Sequence, residues 1–320
     1  MQGVIVMLFV TFHGGQPERD PHKNNVHAYD KEGNKITSSV LDETEDVTLN
    51  ELRGLYLVGK YLYVTNANKT QNSVLCYEGS GTRYRFVSRF ASKHVCNGIL
   101  HPFDLAFDGL DYCYLSSQDT NVVTRLIVSD DGKIGRPAPV AAALPVSGRF
   151  LAGTFVASSN GNLSNPATTP VMCPAGLSYS DAEAKKHSVR GLAWANGRLY
   201  VADQPAGTVK IYDITGKYLG ESNKLEPGSP VHLVVHNGSL YVSGGDQVYT
   251  AILPSSPDKF VLKVINTVKV KNSGGMAFGN SGNFYVASRT KRSILKFDSD
   301  FQPMKFDCNL PDDPEFLLHI

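Results

Sequence analysis

The chain has no apolar stretch long enough to cross a bilayer as a helix, so nothing in it argues for a membrane. It also lacks a charge of one sign. Its 31 Lys and Arg against 30 Asp and Glu leave a net charge of +1, and its longest basic run is Lys291-Arg292. A nucleic-acid footprint is therefore missing. Its five cysteines include no pair at metal-type spacing. No Gly-x-Ser-x-Gly elbow, His-Glu-x-x-His, phosphate loop or Cys-x-x-Cys is present, which removes the common hydrolase, zincin and nucleotide signatures.

What the chain does have is a repeated phrase. It reads Leu8-Phe9-Val10, Leu62-Tyr63-Val64, Cys113-Tyr114-Leu115, Leu199-Tyr200-Val201, Leu240-Tyr241-Val242 and Phe284-Tyr285-Val286. After a polar turn, each copy is followed by a second strand-like run, such as Val209-Lys210-Ile211-Tyr212 or Ile294-Leu295-Lys296-Phe297. Six strand–turn–strand units predict an all-β, six-bladed β-propeller, with residues 1–320 forming a single domain. Tight turns such as Asn196-Gly197 and Asn237-Gly238 precede the phrases, and Asn-Gly between apolar runs is a strong hairpin signal.

An innermost strand is expected just before each turn, and the first copy of the phrase has none. The missing piece reads as Pro314-Glu315-Phe316-Leu317-Leu318 at the other end of the chain. The last blade is then built from both termini, which leaves no open edge. The apolar run Val4–Val10 resembles the core of a signal peptide. No Lys or Arg precedes it and no small-residue cleavage site follows, so it reads better as a blade strand. Sequons at Asn68, Asn162 and Asn237 suit a secreted protein, and the sequence suits a cytoplasmic one equally well.

The widest gap in the repeat isolates residues 146–187 as an insertion, rich in Gly, Pro, Ser and Asn. Ser180–Lys186 reads as a short capped helix, and the segment is placed to cover the channel mouth as a lid. Residues 150–158 read alternatively as the outer strand of their blade.

Pro-x-x-Leu before Gly-x-Leu-Tyr-Val-x-Asp, then Val-x-x-Tyr-Asp, resembles the pattern of NHL-repeat and SMP-30-like propellers. Val189–Asp213 is the cleanest copy. Such relatives include lactonases and esterases, amidoglycolate lyases, strictosidine-synthase-like enzymes, cyclases and non-catalytic scaffolds, and fold does not choose among them. The resemblance implies a zinc-binding His before certain innermost-strand Gly residues in the lyases. Here Arg53 and Arg190 stand there, which disfavours zinc. Calcium is admissible, with Glu315, Asn66, Asp104 and Asp203 as the residues available by blade position.

Blade position collects the candidate site at the channel mouth. His232 and His13 are the expected proton carriers, since imidazole titrates near neutral pH. Arg53, Arg190, His101, Asp104, Asp203, Glu315 and Arg289 are the expected substrate-binding residues. Arg53 and Arg190 recur as Arg-Gly-Leu in two blades, a repetition suited to gripping a carboxylate or phosphate. Two functions are compatible with this. One is an enzyme (lyase, lactone or ester hydrolase, or cyclase) acting on a small anionic molecule. The other is a scaffold with a protein partner. An open polar mouth favours the first, and a channel filled by apolar side chains the second.

Overall fold

In the computed structural model, residues 7–14, 24–142, 152–157, 189–256 and 260–320 are described. The expected helix at 180–186, most of the expected lid, and the turn around residues 17–21 lie outside them. The described residues form six antiparallel sheets and no helix. Their innermost strands are Leu52–Val58, Pro102–Phe107, Val189–Ala195, Pro230–His236, Ser273–Phe278 and Pro314–His319. Numbered in that order, they define blades 1 to 6. Each innermost strand contacts those of both neighbouring blades, and that of blade 6 meets that of blade 1, so the ring is closed.

Closure happens as expected from the sequence. Pro314–His319 pairs antiparallel with Leu8–Phe12, which pairs in turn with His27–Tyr29. Two chain ends thus build one sheet and cover both edges that would otherwise be exposed.

The repeated phrase explains the packing, because alternate side chains of a strand face opposite sides of its sheet. Leu62 and Val64 enter the core shared with blade 6, while Tyr63 enters the core shared with blade 2. Leu199 and Val201 likewise face blade 2, and Tyr200 faces blade 4. Each phrase therefore supplies both of its blade's interfaces, and six copies build six inter-blade cores. Both Asn-Gly turns adopt the positive φ their residues permit, 52° and 71° at Asn196 and Gly197, 47° and 72° at Asn237 and Gly238.

Blade 2 departs from the four-strand pattern. Its third strand, Val122–Val128, carries two short partners on its outer edge, Gly135–Pro137 and Thr154–Ala157. The second of these falls inside the segment expected as an insertion and matches the outer-strand reading of 150–158.

Removal of residues 314–320 should lower the melting temperature of the whole ring, and a truncated chain melting like the parent would refute closure. Tyr200→Ala should cost about 3–5 kcal/mol in urea unfolding, because Tyr200 is fully buried. Tyr241→Ala should cost less, since Tyr241 is only half-buried.

Candidate functional site

The site is set by position along the innermost strands. Their second residues, in blade order, are Arg53, Phe103, Arg190, Val231, Gly274 and Glu315. Their third residues are Gly54, Asp104, Gly191, His232, Gly275 and Phe316, so glycine alternates with a side chain around the ring. The glycines are needed for close approach. A Cβ on Gly191 would lie 2.8 Å from the His232 Cα, and one on Gly275 would lie 2.5 Å from the Phe316 Cα. The gap at Gly54 is 3.0 Å to the Asp104 Cα.

Hydroxyls on the second strands tie the ring together, a role the sequence reading did not assign. Thr11 donates to the Arg53 carbonyl at 3.0 Å, Thr65 to that of Phe103 at 3.2 Å, and Ser116 to that of Arg190 at 2.6 Å. Their signal is visible in hindsight. Thr or Ser follows the phrase directly at Thr11, Thr65, Ser116 and Ser243, where strand alternation alone suggests another apolar residue.

Phe103, Val231 and Phe316 pack together at the centre of the ring, with the two rings 5.2 Å apart edge to face. This apolar plug separates two groups that the sequence reading pooled at one mouth.

At the leading ends of the strands lies a cationic cluster. Arg289 donates from Nη2 to the Glu315 carboxylate at 2.6 Å, and Arg53 Nη1 stands 3.7 Å from it. Arg53 Nη2 also donates to His13 Nδ1 at 2.8 Å. Arg190 donates to Gln118 and Gln204 at 2.5 and 2.7 Å and lies over the Phe103 ring, 4.7 Å from its centroid. Burial raises the Glu315 carboxyl, but the charges of Arg53, Arg289 and Arg190 outweigh this and hold it below its usual value. Burial, with Arg289 and Arg53 nearby, pulls Arg190 down to about 9, which leaves it charged at pH 7. His101 is pulled to about 4 by burial and by Arg53 and Arg190, so it is neutral. Glu51 and Asp119 stand at the rim beside His101 at 3.7 and 3.8 Å. Two donors in the cluster, Arg53 Nη1 and Arg289 Nε, are buried without a hydrogen-bond acceptor.

Asp104 and His232 do not belong to this cluster. They line a different cavity, of about 240 Å³, whose other walls are later residues of the innermost strands, out to His236 and His319. They stand one residue further along their strands than Arg53 and Arg190, and the cavity they line includes none of the arginines. His232 Nδ1 accepts the Met276 N–H at 3.1 Å, and Asp104 Oδ2 accepts the Leu192 N–H at 2.9 Å. Burial lowers His232 to about 3 and raises Asp104 to about 7.

Asp203, opposite Val189 in the sheet, is fully buried and pairs with Lys210 at 2.7 Å. A calcium site does not assemble from the four residues considered for it. Glu315 is held by arginines, Asn66 hydrogen-bonds Asn50 and Thr48, Asp203 pairs with Lys210, and Asp104 lies beyond the plug. Among the described residues no group of three or more metal-type ligands converges.

No protein-family model and no curated protein sequence matches the chain. Solved structures do match in fold. A chain of a nidogen–laminin complex is 13% identical with a TM-score of 0.60, over 98% of this chain and 97% of that one. A Bacteroides fragilis protein provisionally assigned as a 6-phosphogluconolactonase is 13% identical with a TM-score of 0.60, over 99% and 98%. A Bacteroides caccae protein of unknown function is 12% identical with a TM-score of 0.55, over 99% of both. At such identities the likeness is one of fold alone.

The buried carboxyl gives a pH test. Between its ordinary value of 3.8 and its folded value near 7, Asp104 keeps a proton in the folded chain that the unfolded chain has lost. Its contribution to stability is full below about pH 4 and is lost as pH rises through about 7. Asp104→Asn lacks this loss, so it should gain on the parent between pH 4 and pH 8 by on the order of a few kcal/mol. Urea unfolding at several pH values measures it, and parallel curves would refute the buried carboxyl.

Proposed function

We propose that this NHL-like, SMP-30-like propeller acts on a small anionic organic molecule held at the arginine cluster. The observation that carries the reading is a shortage of acceptors. Arg53 and Arg289 both stand against the fully buried Glu315 carboxylate, Arg53 also lies 3.5 Å from Glu51, and Arg190 is close by, yet Arg53 Nη1 and Arg289 Nε are buried without a hydrogen-bond acceptor. A carboxylate or phosphate from a ligand supplies the acceptors the cluster is short of, in the fork geometry arginine favours.

His13 is the proton carrier that suits this site. It is 43% exposed on its side chain, so a ligand reaches it, and Arg53 holds its Nδ1, which leaves Nε2 for the ligand. His232 is beyond the plug and does not serve a ligand held by the arginines. The chemistry this supports is proton transfer beside a fixed anion, as in a lyase, a lactone or ester hydrolase, or a cyclase. The assigned substrate of the Bacteroides fragilis neighbour is itself phosphorylated, which is in keeping with an anion site.

The plug of Phe103, Val231 and Phe316 favours a second reading, a scaffold that binds a protein partner. The nidogen–laminin neighbour comes from such a complex. The two readings differ in their response to small anions.

Titration with inorganic phosphate and with a dicarboxylate such as malate at low ionic strength should show saturable binding. Arg190→Gln and Arg53→Ala should each weaken it by about tenfold or more, the worth of a charge-assisted hydrogen bond. Unchanged affinity in both variants, or no binding by the parent, would sink the assignment. Given binding, His13→Gln should reduce turnover while leaving affinity within about threefold.

A further inference from the structure

The cavity beyond the plug is not used by the function proposed above, and it has a chemistry of its own. Its lining mixes apolar side chains, among them Leu55, Leu105, Leu233, Val235 and Phe278, with Tyr56, His236 and His319, and it holds two polar groups that face each other. Those groups are Asp104 and His232, with side chains 5% and 10% exposed.

The proton on His232 is located by its surroundings. Nδ1 accepts the Met276 N–H, so in the neutral ring the proton sits on Nε2. That N–H has no hydrogen-bond partner in the protein. The nearest acceptor, Asp104 Oδ2, is 4.0 Å away, which is beyond hydrogen-bond range. Asp104 accepts the Leu105 N–H at Oδ1 and the Leu192 N–H at Oδ2, and Oδ2 keeps a further lone pair whether the group is ionised or carries its proton on Oδ1. A donor without a protein acceptor and an acceptor with capacity left therefore stand side by side in the wall of the cavity.

We propose that this cavity binds a small, mainly apolar molecule through a single hydroxyl group. The hydroxyl oxygen accepts from His232 Nε2 and its hydrogen is donated to Asp104 Oδ2. One oxygen about 2.8 Å from both atoms spans a separation of 4.0 Å without strain. Other head groups fit poorly. An ammonium has no lone pair for the imidazole N–H, and a carboxylate gives up its hydration with no cation in the lining to offset the loss. Water satisfies the pair but leaves the apolar walls and most of the 240 Å³ unmatched. Alcohols and phenols are the class that satisfies both the polar end and the walls.

The test uses the full chain labelled with ¹⁵N-histidine, with phenol and benzyl alcohol as probes and toluene as the hydroxyl-free control. Both hydroxyl compounds should shift the His232 Nε2–H resonance saturably, and toluene should bind at least about tenfold more weakly, the value of one or two hydrogen bonds. His232→Phe should reduce the preference for hydroxyl over toluene to within about threefold. Should that variant fail to fold, the resonance shifts of the parent protein decide the question alone. Equal binding of toluene and the alcohols, a shift that grows without saturating, or no shift at all would each overturn the proposal. Arg190→Gln should leave this binding unchanged while weakening phosphate binding, so failure at one end of the channel is distinguishable from failure at the other.

Discussion

The close approach of the innermost strands is the constraint on which the rest of the ring depends. It is set by three glycines, Gly54, Gly191 and Gly275, each backed against the third residue of the next blade, Asp104, His232 or Phe316. A side chain at Gly191 or Gly275 would meet neighbouring backbone, and one at Gly54 would meet the Asp104 carboxylate and backbone together. Once the strands are this close, the third residues cannot project into an open channel. Asp104 and His232 turn to the next blade and take the N–H groups of Leu192 and Met276, and Phe316 joins Phe103 and Val231 in the plug. The division of the channel into two ends is thus a consequence of backbone packing.

Those two ends have opposite electrostatics. At one end charge is kept and matched: arginines hold Glu315 ionised despite complete burial. At the other, burial acts almost unopposed and pushes both groups toward neutrality, Asp104 up and His232 down. A buried ion cluster is a poor route to stability, because desolvation offsets most of the attraction and apolar residues of similar size serve as well or better. Guanidinium groups this close also repel each other, and Arg289 and Arg53 both pull Arg190 down. This expenditure at the leading ends of the strands is easier to account for through a ligand than through the fold.

Much of the architecture was legible in the sequence because it follows from period and repetition. The phrase around Tyr63, Tyr114 and Tyr200 marks the second strands, Asn196-Gly197 and Asn237-Gly238 mark the hairpins, and a phrase without an innermost strand pointed to residues near 314–318. The site was less legible. Blade position says which residues come near the axis, but not on which side of the plug they lie. Arg190 and Asp104 are one strand position apart when the blades are aligned, yet Arg190 bonds Gln118 and Gln204 while Asp104 lines the other cavity. The pairing of Asp203 was not legible either: its partner Lys210 sits within an apolar strand phrase, Val209-Lys210-Ile211, where a buried ion pair leaves no pattern to read.

The hydroxyls at Thr11, Thr65 and Ser116 connect these levels. Each lies on a second strand and donates to a carbonyl of the next blade's innermost strand, beside Arg53, Phe103 or Arg190. The backbone at the cationic cluster is therefore held from outside the cluster, by residues belonging to the repeat itself. An arginine whose main chain is anchored in this way loses less freedom when it grips a ligand, and affinity rises with such preorganisation. Blades 1, 2 and 3 receive these bonds, and two of the three arginines stand there. The repeat thus supplies the rigidity of the site along with its shape.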